Sequence, residues 1–156
     1  METVYTIGHS VNTADEFIAM LGAQGVSFVI DVRSVPKSVY VPHFDREIIS
    51  GALKNEGIEY VHMPELGGLR RAKDGWKSEG LEVYRSYMKT EEFDSAVKRI
   101  MEFAREKKVA IMCAEGMPNK CHRSLIADAL VARGVDVVHI ISETCVFSHE
   151  QTSLDV

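Results

Sequence analysis

Residues 27–32, SFVIDV, form a nearly continuous apolar run rich in β-branched side chains, the pattern of a strand buried on both faces. Such a strand needs a layer of structure on each side of its sheet. Runs of the same kind recur at Val4 to Ile7, Glu59 to Met63, Val109 to Cys113 and Asp136 to Ile141, with helical segments between them. Strands alternating with helices at these lengths imply βα units and right-handed crossovers. The pattern predicts an α/β fold, a mostly parallel sheet of about five strands with helices on both faces. A length of 156 residues suits a single domain over residues 1–156, and the tail from Ser142 shows no clear period.

Capping signals place the helices. Thr13 and Glu16 have capping-box spacing before Phe17, Ile18 and Leu21, and Gly25 closes that helix. Asp45 is the expected cap of a helix running to Asn55 or Glu56, with Gly57 as its stop. A short helix is expected around Leu81–Met88. Thr90 then caps the clearest helix, with Phe93, Val97, Ile100, Met101 and Ala104 on one face. Its acidic first turn (Glu91, Glu92) and basic end (Arg105, Lys107, Lys108) both oppose the helix dipole. A last helix is expected from about Cys121 to Arg133, with Leu125, Ile126, Ala129 and Leu130 inward and Gly134 as its stop.

Composition excludes several classes. With 46% apolar and 26% charged residues and four prolines, the chain reads as an ordinary globular protein. No apolar stretch approaches the roughly 18–20 residues of a membrane span, so no membrane partner is expected. The first ten residues, METVYTIGHS, lack the features of a secretion signal, which predicts a cytoplasmic location. Three cysteines, Cys113, Cys121 and Cys145, are too few and odd in number for a disulfide framework. A net charge of -5 argues against a surface built to grip nucleic acid, which is not the favoured partner, while a local basic site stays open. The oligomeric state is left open.

Ligands of such sheets bind outside the carboxyl ends of the strands. Three of the expected strands end there in polar, reactive types: Gly8-His9-Ser10, Asp31-Val32-Arg33-Ser34 and Cys113-Ala114-Glu115. Taken singly, Asp31 and Arg33 read equally well as a structural ion pair, His9 as a core residue and Cys113 as a small buried one. Their coincidence at one edge favours a site. The turn MCAEGMPNKCHRS (112–124) adds a second argument, because Lys120, His122 and Arg123 would fall in a first helical turn, where an exposed cation is disfavoured by about 0.3–1 kcal/mol. A bound small anion would reverse that sign. Arg123 and Arg33 would clamp it, Gly116 would let the loop amides curl inward, and Ser10 and Ser34 would add donors.

The same field would lower the thiol pKa of Cys121 and of Cys113. Either thiol is a candidate nucleophile or redox group, with His9 or His122 as acid/base and Glu115 or Asp31 orienting. This layout is that of cysteine phosphatases and sulfurtransferases, which hold the cysteine and arginine closer than the ten positions between Cys113 and Arg123. A non-catalytic module that binds a phosphorylated ligand or a nucleic-acid end is the alternative. No cofactor is expected. Zinc on Cys113, Cys121 and His122, with His9 or Glu115 as a further ligand, is a minor alternative, because the cysteine spacing does not fit a structural zinc knuckle. The loop Leu66–Lys77, with Gly67, Gly68, Arg70, Arg71 and Trp76, reads as a lid or a polyanion contact, or as a solvated loop. Tyr40, Pro42, His43 and Phe44 are candidates to wall the same pocket.

These motifs together resemble a known family. TIGHS (6–10), DVRSVPKS (31–38), GIEYVHMPELGG (57–68), Y-x₂-YM-x-T-x₂-F (84–93) and MCAE-x₂-P-x₂-CHR-x₂-IAD-x-L, with a closing HI (139–140), are similar to the family catalogued as domain of unknown function 488. The resemblance spans about residues 4–141 and implies kinship without implying a reaction. The signature positions that it implies are Gly8, His9, Ser10, Asp31, Arg33, Ser34, Pro36, Leu66, Gly67, Gly68, Cys113, Glu115, Pro118, Cys121, His122 and Arg123. Asn119 and Val39-Tyr40-Val41 depart from the residue types common in that family.

Overall fold

The computed structural model describes residues 2–67, 78–118 and 122–150, with the backbone alone for 78–81. The strands are β1 (Thr3–Gly8), β2 (Phe28–Asp31), β3 (Glu59–His62), β4 (Val109–Cys113), β5 (Asp136–Ser142) and β6 (Cys145–Ser148). The helices are α1 (Ala14–Ala23), α2 (Arg46–Asn55), α3 (Ser78–Tyr87), α4 (Glu91–Glu106) and α5 (Arg123–Ala132). The sheet order is β3-β2-β4-β1-β5-β6. Its first five members are parallel, and β6 runs antiparallel to β5. The architecture is the expected α/β sheet, with six strands rather than five. The tail expected to lack a period supplies the sixth: all four β6 residues are exposed, so this edge strand carries no alternation to read.

Side chains alternate across each strand, and the sheet divides the core accordingly. In β4, Val109, Ile111 and Cys113 join a cluster with α3, α4 and α5, while Ala110 and Met112 join one with α1 and α2. Both faces are therefore covered, which explains why the run Phe28–Asp31 is buried throughout. After β1 the chain crosses to β2 through α1, and after β4 it crosses to β5 through α5, on the other face. The adjacent strands β1 and β4 thus form the switch point of the sheet, where their outgoing loops part.

Local signals hold at two helix starts. The Thr13 hydroxyl accepts from the Glu16 amide at 3.1 Å while the Glu16 carboxylate takes the Thr13 amide at 2.7 Å, and Thr90 accepts from the Phe93 amide at 3.2 Å. Asp45 differs from expectation: it occupies the cap position of α2, but its carboxylate accepts from the Ser38 amide at 2.9 Å and closes the loop before the helix. Helix α3 begins at Ser78 rather than near Leu81. Helix α5 begins at Arg123 rather than about Cys121, with His122 at its cap position and no side-chain cap bond there.

Gly8 ends β1 at the switch point. A Cβ there would lie 1.8 Å from the Glu115 carbonyl oxygen and 2.8 Å from Arg123 Nη1, so only glycine lets the loop after β4 fold over the end of β1. Gly22, inside α1, has nothing within 4 Å of its Cβ position. Gly8→Ala is expected to cost about 3 kcal/mol or more in urea denaturation, whereas Gly22→Ala should stabilise by about 0.5–1 kcal/mol.

Candidate functional site

The α1/α2 face of the carboxyl edge is organised by Asp31, which is fully buried at the end of β2. Its carboxylate takes Arg33 Nη2 at 2.7 Å, Arg33 Nε at 2.9 Å and the Arg33 amide at 3.0 Å, and accepts the Tyr60 hydroxyl from β3. Burial first, then the hydrogen bond to Asp31, pushes the Tyr60 phenol above its ordinary range, so it stays a donor. Arg33 is only 6% exposed and is locked through Nε and Nη2, which leaves Nη1 turned toward His9 Nε2 at 3.4 Å. The His62 ring donates to the Arg33 carbonyl at 2.6 Å.

His9 follows β1 and lies flat against Phe44, with ring centroids 4.5 Å apart. His43, beside it, donates to the Asn12 carbonyl at 2.7 Å and ties the two loops together. The His9 Nδ1–H donates to the Ser10 carbonyl at 2.9 Å, which leaves the Nε2 lone pair toward Arg33. Burial lowers the His9 pKa, the Ser10 carbonyl opposes that, and the Arg33 charge lowers it further. The ring is therefore neutral with a fixed tautomer. Ser10 has φ 47°, the one positive value among the described non-glycine residues, and this turn brings its carbonyl back to the ring.

The opposite face is organised by Arg123. Its side chain is fully buried and donates from Nη1 to Cys113 Sγ at 3.2 Å and the Glu115 carbonyl at 3.1 Å, and from Nη2 to the Gly116 carbonyl at 3.2 Å. The Cys113 thiol in turn donates to the Glu115 carbonyl at 3.4 Å and is 1% exposed. The Glu115 side chain takes the Met117 amide at 3.3 Å. His122 is buried against Tyr84 and donates to the Val32 carbonyl at 3.3 Å.

The two halves meet across the switch point. The His9 amide donates to the Cys113 carbonyl at 2.9 Å and the Ser10 amide to the Ala114 carbonyl at 2.8 Å, while Gly116 sits against the Ser10 side chain. Adjacent in backbone, His9 and Cys113 point to opposite faces: His9 packs in the α1/α2 cluster on Phe44, and Cys113 in the α3–α5 cluster. They do not form a thiol–imidazole pair. Gly67 lies against Ser34, where a Cβ would stand 2.8 Å from the Ser34 Cα, so it joins the loop after β3 to the loop after β2.

Of the expected site residues, Cys121, Gly68, Arg70, Arg71 and Trp76 lie outside the described residues. Among the described residues, no group of three or more His, Cys, Asp and Glu side chains is placed to hold a metal, and Cys121, which the zinc alternative needs, lies outside them. No described helix is long and apolar enough to cross a membrane. The sequence reading missed Tyr60 and His62, whose partners Asp31 and Arg33 are each 29 positions away. The alternation that puts Tyr60 on the same face as Val29 and Asp31 was the available signal.

The sequence model described as "Domain of unknown function DUF488" matches residues 13–130. The chain belongs to this family. Searches among curated proteins and among solved structures gave no significant match. In this member of the DUF488 family, the matched region carries Arg33 and Arg123, while His9 and Ser10 precede it.

Two outcomes follow from the buried groups. Asp31→Asn leaves the Arg33 charge enclosed without its partner and should cost about 3–5 kcal/mol in chemical denaturation. His9 binds its proton more weakly folded than unfolded, so the unfolded state carries more protons just below the ordinary histidine range. Its contribution is present above about pH 6.5 and fades as the pH falls from there. Denaturation curves at successive pH values should show a shallower acid loss in His9→Asn than in the natural protein.

Proposed function

We propose that the chain is an enzyme acting on a small or terminal anionic group, phosphate- or sulfur-containing, held at the carboxyl edge of the sheet. The carrying observation is Arg33 locked by Asp31 through Nε and Nη2, with Nη1 turned to the unprotonated Nε2 of a neutral His9. A guanidinium fixed on one edge presents its remaining N–H groups without further ordering, which favours anion capture. A neutral imidazole with its tautomer set by a carbonyl is a ready acid/base group beside it. In this reading His9 moves the proton, Arg33 holds the anion, Ser10 and Ser34 border it, and Arg123 shapes the loop that closes the site. The nucleophile is assigned to Cys121, because the Cys113 sulfur is enclosed on the other face from His9.

One observation favours a second reading, a non-catalytic module for a phosphorylated ligand or a nucleic-acid end. The strand-end thiol is buried and bonded to Arg123, as a structural residue would be.

The test is iodoacetamide alkylation of each cysteine across pH, read by peptide mass spectrometry with and without inorganic phosphate or sulfate. The enzyme reading expects Cys121 to react with an apparent pKa below about 8.5 and to be protected by either anion. Arg33→Met should weaken that protection about 10- to 100-fold, the worth of a hydrogen bond to a charged group. Ordinary thiol behaviour at Cys121 combined with anion binding that needs Arg33 would overturn catalysis in favour of the module. No anion effect on either thiol, with no anion binding, would overturn both.

A further inference from the structure

Four polar side chains outside the candidate site form one continuous hydrogen-bonded chain. Thr6 Oγ1 on β1 lies 2.5 Å from His139 Nδ1 on β5. His139 Nε2 lies 2.8 Å from His149 Nδ1, just past β6, and His149 Nε2 lies 2.7 Å from the Asp128 carboxylate on α5. His139 is 1% exposed and the His149 side chain 5%, while Asp128 reaches solvent at 26%. The His149 amide also donates to the Val137 carbonyl at 2.8 Å, so the ring is held by its own backbone as well.

Proton counting leaves two arrangements that satisfy every contact. With both rings neutral, the Thr6 hydroxyl donates to His139 Nδ1, His139 Nε2–H donates to His149 Nδ1, and His149 Nε2–H donates to Asp128. With one added proton, His149 is an imidazolium and donates at both ends. His139 must then accept at Nε2, carry its hydrogen on Nδ1 and donate to the Thr6 oxygen. Two added protons would set N–H against N–H between the rings and break the chain.

We propose that Thr6, His139, His149 and Asp128 form a proton-driven relay, in which charging His149 reverses the tautomer of His139 and the direction of the hydrogen bond at Thr6. The surroundings put the added charge on His149. Asp128 on α5 is its anionic partner, whereas His139 faces the Arg123 guanidinium from α5 and the Phe147 ring from β6. Asp136 of β5 lines the same surface cleft as His149. Burial, then Arg123, then His149 push His139 down to about 3, so it stays neutral. The relay links the C-terminal strand and α5 to β1, two residues before Gly8, where Arg123 crosses.

The experiment is a pH titration of the ¹⁵N-histidine-labelled protein by NMR, following both nitrogens of each ring. The relay expects His139 to exchange an Nε2–H form for an Nδ1–H form at the pH where His149 gains charge, without gaining charge itself. Asp128→Asn removes the carboxylate that faces the charged ring and should lower the His149 midpoint by about one unit, a tenfold higher proton concentration. A His139 ring that keeps one tautomer throughout the His149 titration, or that charges together with it, would overturn the proposal. So would a midpoint unmoved in a folded Asp128→Asn protein.

Discussion

A guanidinium without solvent exposure holds the carboxyl edge of this sheet together. Arg123 begins α5 and reaches back to two carbonyls and a sulfur of the loop after β4. Each such bond to a charged group contributes about 1.5–3 kcal/mol where water is excluded. The loop reaches that position only because Gly8 has no side chain in its path. Once it is folded over β1, its carbonyls set the amides of His9 and Ser10, and the Ser10 turn sets the His9 ring. A backbone constraint on one face therefore fixes a side-chain tautomer on the other.

The sheet separates two chemistries that the linear sequence places side by side. On the α1/α2 face Asp31, Arg33, Tyr60 and His9 form a network with an oriented cation and a neutral imidazole. On the other, Cys113 and Arg123 are spent on each other and on the loop. In this member of the DUF488 family, Cys113 and Arg123 shape the edge of the sheet, and that needs no shared role with His9.

Much of the fold was legible because burial on both faces leaves a strong mark. The continuous apolar runs at β2 and β4, and the caps Thr13 and Thr90, stand where the residues predict them. Strand β6 was not legible, because an exposed edge strand of four residues has no buried face to alternate. The start of α5 was displaced, because His122 at its cap position gives no hydroxyl or carboxylate signal. The site was legible as a set of strand ends, since topology brings those together whatever their contacts. The contacts were not: Asp31 with Tyr60, Val32 with His122 and Thr6 with His139 join positions 29, 90 and 133 apart.

The central claim is that Arg33 and His9 together face a small anion. The most direct measurement is ¹⁵N-resolved NMR of the Arg33 guanidinium and the His9 ring while inorganic sulfate is added. The account predicts saturable shifts at Arg33 Nη1 and His9 Nε2 with the same midpoint, and His9 Nδ1 protonated throughout. Shifts absent from both groups, or saturating only at Lys107 and Lys108 just before β4, would contradict it.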